Sequence, residues 1–191
     1  MTSKDKASLQ AEVIRRVSIA GIFWVAMTYI LLQYDLFDVT FDPTLTNRLA
    51  FTLRWLVMSL IPTMVGVSLV GNVRFNNMDT AGVHTTSTHA EELVRLRQRA
   101  LQNTLEQTSI HAAVTLILST HLDPSHLKII PIVVCMFVFA RAIFYIGYLT
   151  IGDHFGRAFG FALTMWVNMS SLAYCVYCLV VHGATYGLTV E

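Results

Sequence analysis

Long apolar stretches constrain the fold of this chain more than any other feature of its sequence. Five of them, at residues 17–34, 55–73, 100–119, 129–151 and 159–181, approach or exceed the ~20 residues that a helix needs to cross a bilayer. The third does not look like a lipid-facing helix, because it carries Asn103, Glu106, Gln107 and His111. A backbone in hydrocarbon has no water to bond with, so it must satisfy its own N–H and C=O groups, as a helix does. The sequence therefore predicts an all-α, polytopic bundle of membrane helices.

The composition agrees with a membrane protein and excludes several other classes. Apolar residues make up 54% of the chain, and charged residues make up 13%, about half the usual quarter. A charged fraction this low argues against disordered segments and against nucleic-acid-binding arms. We therefore expect the lipid bilayer as a partner and no nucleic acid. Three cysteines are too few for a disulfide scaffold.

The first apolar stretch is interpreted as a retained helix. Its apolar run exceeds the 7–15 residues of a signal-peptide core, and the Gln33-Tyr34-Asp35 sequence that follows is a poor cleavage site.

The beginning of the helix that contains the third span is marked by a capping box from Thr88 to Glu91, after which no Pro or Gly occurs before Ser119. The third span should therefore be a long helix that stands above the membrane surface.

The distribution of basic residues predicts the topology. The N-terminal segment, the second loop with the approach to the third span, and the fourth loop are basic, whereas the first loop is acidic. By the positive-inside rule, the basic segments are cytosolic, and the C-terminal tail is lumenal or extracellular. The basic residues counted are Lys4, Lys6, Arg15, Arg16, Arg74, Arg95, Arg97, Arg99 and Arg157.

Polar residues inside a predicted span are candidates for function, because they are costly in hydrocarbon. In the third span, Arg99, Asn103 and Glu106 have i, i+4 and i+7 spacing and so share one helix face. In the fourth span, Arg141 and Tyr148 also have i, i+7 spacing. We expect Glu106 and Arg141 to pair, since their depths are similar and their charges opposite. A polar seam that only holds the helices together remains an alternative.

The arginines of the cytosolic side form a candidate site together. Each alone is more typical of a topology anchor or a lipid-headgroup contact. Arginine forks bind carboxylates, a glutamate binds an ammonium, and a further arginine can stabilise a thiolate or an oxyanion. The set therefore suits a small zwitterion with an excess of carboxylates; its members are Arg74, Arg99, Asn103, Glu106, Arg141, Tyr148 and Arg157.

Three of these motifs resemble one family. The segment RALQNTLE, residues 99–106, resembles the Arg-Ala-x-x-Asn-x-x-Glu signature of the MAPEG superfamily, the membrane-associated proteins in eicosanoid and glutathione metabolism. Residues 141–148 resemble its Arg-x-x-(His/Tyr)-x-x-x-Tyr stretch. Arg157 follows Tyr148 at the spacing of the catalytic arginine in the prostaglandin E synthase branch, and residues 71–74 resemble the end of that branch's first helix. The resemblance covers about residues 55–181.

The resemblance implies a four-helix bundle that forms a homotrimer, with glutathione in a cytosol-facing cleft between subunits. It implies a transferase, isomerase or peroxidase acting on a lipophilic small molecule, in the endoplasmic reticulum or another secretory-pathway membrane. Arg157 would be catalytic and would hold the thiolate. The residues that would bind glutathione are Arg74, Arg99, Asn103, Glu106, Arg141 and Tyr148. The alternative is a non-enzymatic lipid-binding or trafficking adaptor.

The chain departs from the family pattern at three places. An additional N-terminal span gives five, as in the mattrin-like branch. Phe144 stands where classical members have His or Tyr, and Asp153 stands where the prostaglandin branch has an arginine. The last two weaken the electrostatic case for tight glutathione binding. The predicted division is a cytosolic segment, an extra helix with its lumenal loop, the MAPEG-like domain and a tail: residues 1–16, 17–49, 50–183 and 184–191.

No metal site is predicted. Cys175 and Cys178 have CxxC spacing, but they lie in an apolar helix, where packing is the better interpretation. His84 and His89 flank a Ser/Thr-rich loop that supplies no further ligands, which favours a solvated loop.

Overall fold

The computed structural model describes residues 3–34, 37, 39–42, 44–78, 88–149 and 154–186. Within these ranges the chain is helical and contains no strand. The helices are α1 (Ser3–Gln33), α2 (Leu45–Asn76), α3 (Thr88–His121), α4 (Ile129–Leu149) and α5 (His154–His182), with a short 3-10 turn at Pro124–His126. The predicted all-α class is confirmed. The loop holding His84 and the position of Asp153 lie outside the described residues.

Four of the described helices contain a stretch that is long and apolar enough to cross a membrane. These stretches are Gln10–Gln33, Leu45–Asn76, Pro124–Leu149 and Arg157–His182. The helix that fails this criterion is α3, which supplies the third of the five predicted spans. Helix α3 can carry many polar residues because a large share of them face the interior of the bundle. The buried ones are Thr104, Gln107, Thr108, His111 and Thr115. The fifth span therefore stays a prediction.

Helix α4 forms the centre of the bundle. It packs most extensively on α5 and also contacts α2 and α3, while α2 packs along α3. Its apolar side chains are buried on most sides, which explains why its sequence is a nearly continuous apolar run. Members of the core on and beside α4 are Leu127, Ile130, Ile132, Val133, Met136 and Phe137.

A glycine sets the distance between α4 and α5. A Cβ atom on Gly160 would lie 2.4 Å from the backbone nitrogen of Phe144 and 2.7 Å from the carbonyl oxygen of Ala140. Helix backbones approach this closely only where a small residue leaves room, as in many membrane helix pairs. Gly160 therefore brings the beginning of α5 against the last turns of α4.

Two basic side chains satisfy helix ends at the face opposite the candidate site. Arg48 is buried, and its Nη1 donates to the carbonyl oxygen of Leu122 at 2.9 Å, just past the end of α3. Lys128 Nζ donates to the carbonyl oxygen of Leu32 at 3.0 Å, in the last turn of α1. The last four carbonyls of a helix have no partner within the helix, and cations also complement its dipole there. Arg48 is thus a structural cap.

The N-terminal helix α1 lies on the outside of the bundle, mainly against α5. Trp166 Nε1 donates to the carbonyl oxygen of Val17 at 3.0 Å, and Trp24 Nε1 donates to Ser170 Oγ at 3.1 Å. Gly21 lies under the Trp166 ring, where a Cβ atom would come within 2.8 Å of Cε2. The helix is therefore attached by specific contacts. It begins at Ser3, well before the apolar stretch predicted from residue 17.

Candidate functional site

The candidate site centres on Arg141, which lies on α4 and is fully buried. Its Nη2 atom donates to Asn103 Oδ1 at 3.0 Å and to Thr104 Oγ1 at 2.8 Å, both on α3. The guanidinium carbon lies 3.9 Å from the centroid of the Phe144 ring. One predicted site residue, Asn103, thus contacts Arg141 directly. Thr104, which the motif analysis did not single out, is the second partner.

The other two nitrogens of this guanidinium lack a hydrogen-bond partner in the described part of the chain. Nε and Nη1 of Arg141 are buried and have no hydrogen-bond partner among the described residues. A buried donor without a partner costs about 1–3 kcal/mol, and more when the group is charged. Arginine cannot relieve this cost by losing its proton at ordinary pH. Both atoms lack exposed surface, so an anionic acceptor would reach them only after neighbouring side chains move.

The predicted pairing of Glu106 with Arg141 is wrong for this chain. Glu106 is exposed, and its Oε1 atom accepts from Gln102 Nε2 at 3.0 Å. The reason is the rotation of α3. With 3.6 residues per turn, Glu106 lies about 200° around the helix axis from Thr104, which faces α4. Equal depth in the membrane therefore does not bring the two charges together.

A second pair of predicted residues meets at the beginning of α5. The guanidinium carbon of Arg157 lies 5.6 Å from the centroid of the Tyr148 ring, within the range of a cation–π contact. Tyr148 is in turn 5.3 Å from Phe144, measured between ring centroids. These contacts form a row from the interior to the surface, in which two aromatic rings lie between two cations. Its members, in order, are Arg141, Phe144, Tyr148 and Arg157. The close approach at Gly160 makes this row possible.

The remaining predicted residues are not assembled within one chain. Arg74, in the last turn of α2, and Arg99, on α3, are exposed, as are Glu106 and Arg157. Asn103 and Tyr148 are half-buried. The structure therefore brings together Arg141 with Asn103, and Arg157 with Tyr148. It leaves Arg74, Arg99 and Glu106 on the surface of this chain.

A polar network in the bundle interior joins Gln107 and His111, two of the polar residues of the third span, to Asn168, which the sequence motifs did not indicate. His111 Nδ1 lies 3.0 Å from Asn168 Oδ1, and Asn168 Nδ2 donates to Gln107 Oε1 at 3.2 Å. The His111 ring stacks on Phe137 with centroids 4.0 Å apart. The available signal was the i, i+4 spacing of Gln107 and His111, together with a lone Asn168 in an apolar helix.

Two cysteines of α5 lie close together in the sequence. Cys175 and Cys178 are buried free thiols of α5. Across the described ranges, no group of three or more His, Cys, Asp and Glu side chains is placed to hold a metal ion.

Comparison with known proteins identifies the family. A model of the MAPEG family matches residues 52–177, which lie in α2 to α5 and leave out α1. The chain is similar to transmembrane protein 79 of Mus musculus, with 24% identity over 160 residues, covering 83% of this chain and 39% of that protein. It is also similar to transmembrane protein 79 of Bos taurus, with 26% identity over 169 residues, covering 87% and 41%.

The chain thus spans about two fifths of the length of these curated relatives. No solved structure gives a significant match. The family match covers more than half of the chain and contains all three motifs read from the sequence. The chain therefore belongs to the MAPEG family.

Proposed function

We propose that this chain binds glutathione at the cytosolic end of its bundle and directs the thiol onto a lipophilic substrate. The observation that carries the proposal is the incompletely satisfied guanidinium of Arg141, whose Nε and Nη1 are buried and unpartnered among the described residues. Glutathione carries two carboxylates, so it offers the acceptors that these donors need. In the low dielectric of the bundle such charge-assisted bonds are strong. A transferase, an isomerase or a peroxidase would use the same thiol.

The rest of the site is proposed to form between subunits of a homotrimer. Exposed charged side chains in a membrane protein are costly unless they reach water or a partner. Arg74, Arg99 and Glu106 are exposed on this chain, and a cleft between two copies would give each of them a ligand group. Glu106 would accept the γ-glutamyl ammonium, whereas the two arginines would bind carboxylates. Asn103 and Tyr148 would add hydrogen bonds.

Arg157 is the proposed catalytic residue. It is exposed beside the Tyr148 ring, so its guanidinium can donate to a sulfur without losing another partner that the bundle needs. A free thiol has a pKa near 8.5, and lowering that pKa by ~2 units, or ~2.7 kcal/mol, makes the thiolate dominant at pH 7. The thiolate then attacks an electrophile that enters from the bilayer. The proposal includes five spans, a cytosolic N-terminus and a secretory-pathway membrane such as the endoplasmic reticulum.

Two observations favour a second candidate function. The Phe144 ring covers one face of the Arg141 guanidinium, at a position where the family resemblance leads us to expect a His or Tyr contact to glutathione. Glu106 is also turned away from Arg141. Both features suit a member that keeps the bundle without the chemistry, namely a lipid-binding or trafficking adaptor.

An experiment with purified protein in lipid vesicles distinguishes the two candidate functions. Wild-type protein should unfold at a higher temperature as glutathione is added, and it should convert hydrophobic electrophiles or a lipid hydroperoxide. Arg157→Ala should lower turnover about 10²-fold, the scale for losing one donor to a developing anion, with a smaller effect on glutathione affinity. Arg54→Ala, at an exposed arginine of α2 with no role here, is the matched control.

The outcomes differ for the two functions. Turnover that is equal in wild-type and Arg157→Ala protein at saturating glutathione removes the catalytic assignment. Wild-type protein that neither binds glutathione nor turns over any electrophile makes the adaptor the better function. Partial recovery in Arg157→Lys is expected, because lysine keeps the charge but lacks the planar fork.

A further inference from the structure

A partly open cavity lies at the opposite end of the bundle from Arg157. It has a volume of ≈ 420 Å³, within the range of small-molecule sites, and is lined by residues of α1, α3, α4, α5 and the turn between α3 and α4. Helix α1 supplies Trp24 and Thr28 to its wall. Since α1 lies outside the part of the chain that matches the MAPEG family, this cavity combines the family bundle with an added helix.

The wall of the cavity is mostly apolar, with a few polar side chains among the lining residues. Leu118, Leu122, Ile129 and Val133 form an aliphatic body next to the Trp24 ring. Asp123 and His126 lie at the mouth, in the exposed turn between α3 and α4, with 4.0 Å between His126 Nδ1 and Asp123 Oδ2. A molecule that fits here has one apolar body and one polar end.

The wall also contains an unsatisfied hydroxyl. Thr28 Oγ1 is buried and has no hydrogen-bond partner among the described residues. The neighbouring hydroxyls are satisfied: Ser170 accepts from Trp24 Nε1, and Ser171 donates to the carbonyl oxygen of Val167 at 2.8 Å. Thr28 lines the cavity, and a small movement of its side chain would let a ligand hydroxyl satisfy this buried Oγ1 atom.

We propose that this cavity binds an uncharged, alcohol-headed lipid with a single apolar body, such as a sterol or a fatty alcohol. Its hydroxyl would bond to Thr28 and point to the mouth, while its body would lie along Leu118 and Val133. Thr28 precedes the end of α1 at Gln33 by five residues, or about 8 Å of helix rise, so the hydroxyl would be near the membrane surface. A phosphate headgroup fits poorly, because Asp123 at the mouth repels an anion.

Photolabelling of the full chain in phosphatidylcholine vesicles tests the proposal. Three probes carry a photoreactive group in their apolar body: a sterol, a fatty alcohol and a phosphatidylcholine. We expect saturable labelling of the Leu118–Val133 region or of α1 near Thr28 by an alcohol probe, suppressed by unlabelled alcohol. Whichever of the sterol and the fatty alcohol labels at lower concentration identifies the source. Equal, non-saturable labelling by all three probes overturns the proposal.

Matched variants locate the site. Ile129→Trp places a large ring in the cavity and should reduce saturable labelling at least tenfold, whereas Ile146→Trp, on the lipid-facing side of the same helix at 64% exposure, should leave it unchanged. Equal labelling of the two variants contradicts the assignment. Thermal unfolding verifies that both are folded.

A gentler variant decides the question even if Ile129→Trp does not fold. Thr28→Val keeps the shape of the side chain and removes only the hydroxyl. Affinity for the alcohol probe should fall about threefold to tenfold, the scale of one hydrogen bond, while affinity for the corresponding methyl ether should change less. Unchanged affinity for the alcohol contradicts a bond to Thr28.

Discussion

Replacing Arg141 by methionine tests whether its guanidinium serves a ligand or the fold. The guanidinium gains two charge-assisted hydrogen bonds, to Asn103 and Thr104, worth about 1.5–3 kcal/mol each, and the contact with Phe144, worth about 2. Against these stand two unpartnered donors at about 1–3 kcal/mol each and a desolvation penalty of several kcal/mol. The two sides nearly cancel.

Arg141→Met should therefore change the free energy of unfolding of the unliganded protein by less than about 2 kcal/mol. The two oxygens that lose Arg141 as a donor, on Asn103 and Thr104, are not left buried without any interaction. Thr104 still donates to the carbonyl oxygen of Ala100 at 2.9 Å, and Asn103 is only half-buried. An apolar methionine also removes the buried charge. Glutathione at 100 times its Kd should stabilise wild-type protein by about 2.7 kcal/mol, and most of this gain should be lost in the variant.

The assay is reversible unfolding in lipid-detergent mixtures with and without glutathione, with Arg54→Met as the matched control for an exposed arginine. A loss of more than about 4 kcal/mol without glutathione would refute the reasoning, since it would mean that the guanidinium is fully satisfied in the folded protein. Undiminished stabilisation of the variant by glutathione would show that Arg141 is not a ligand donor.

Three further predictions concern the bundle. Gly160→Ala should destabilise the protein by about 1–3 kcal/mol in thermal unfolding, because its Cβ would meet the α4 backbone at 2.4 Å. Gly71→Ala, where nothing lies within 4 Å, should stabilise it by about 0.5–1 kcal/mol, and equal effects of the two changes would contradict the packing argument. Asn168→Leu and His111→Phe should be coupled by about 0.6–2 kcal/mol in a double-mutant cycle of unfolding free energies, and additive losses would show that their contact is not formed. Arg48→Met should cost about 1–3 kcal/mol and speed hydrogen exchange at the end of α3, because the carbonyl of Leu122 loses its donor, whereas unchanged exchange there would exclude the cap.

Several residues of the candidate site could be predicted from the sequence, but not all of the contacts between them. Arg141 and Asn103 stood out because an ionisable group and an amide at regular spacing are unusual in a span, and the two contact each other. Thr104 did not stand out, because a threonine between apolar residues is ordinary in any helix. Glu106 was assigned to the wrong neighbour, since its depth and the helix face that it shares with Asn103 were inferred, but the rotation of that face relative to α4 was not.

The sequence by itself determined the properties that depend on local pattern. Apolar length predicts which segments are membrane helices, the absence of Pro and Gly between Thr88 and Ser119 predicts one long α3, and the motif spacings identify the family. These features depend on residues close together in the chain, where helix geometry relates spacing to position.

Only the tertiary structure decided which surfaces meet. It turned the polar side of α3 into the bundle, placed Thr104 rather than Glu106 against Arg141, and used Arg48 to cap α3. It also placed α1 on α5, so that Trp24 and Thr28 line a cavity together with residues of the bundle. Each outcome depends on how a helix is rotated and which neighbour it packs against. Those quantities follow from side-chain packing across the whole bundle, which the spacing within a single helix does not determine.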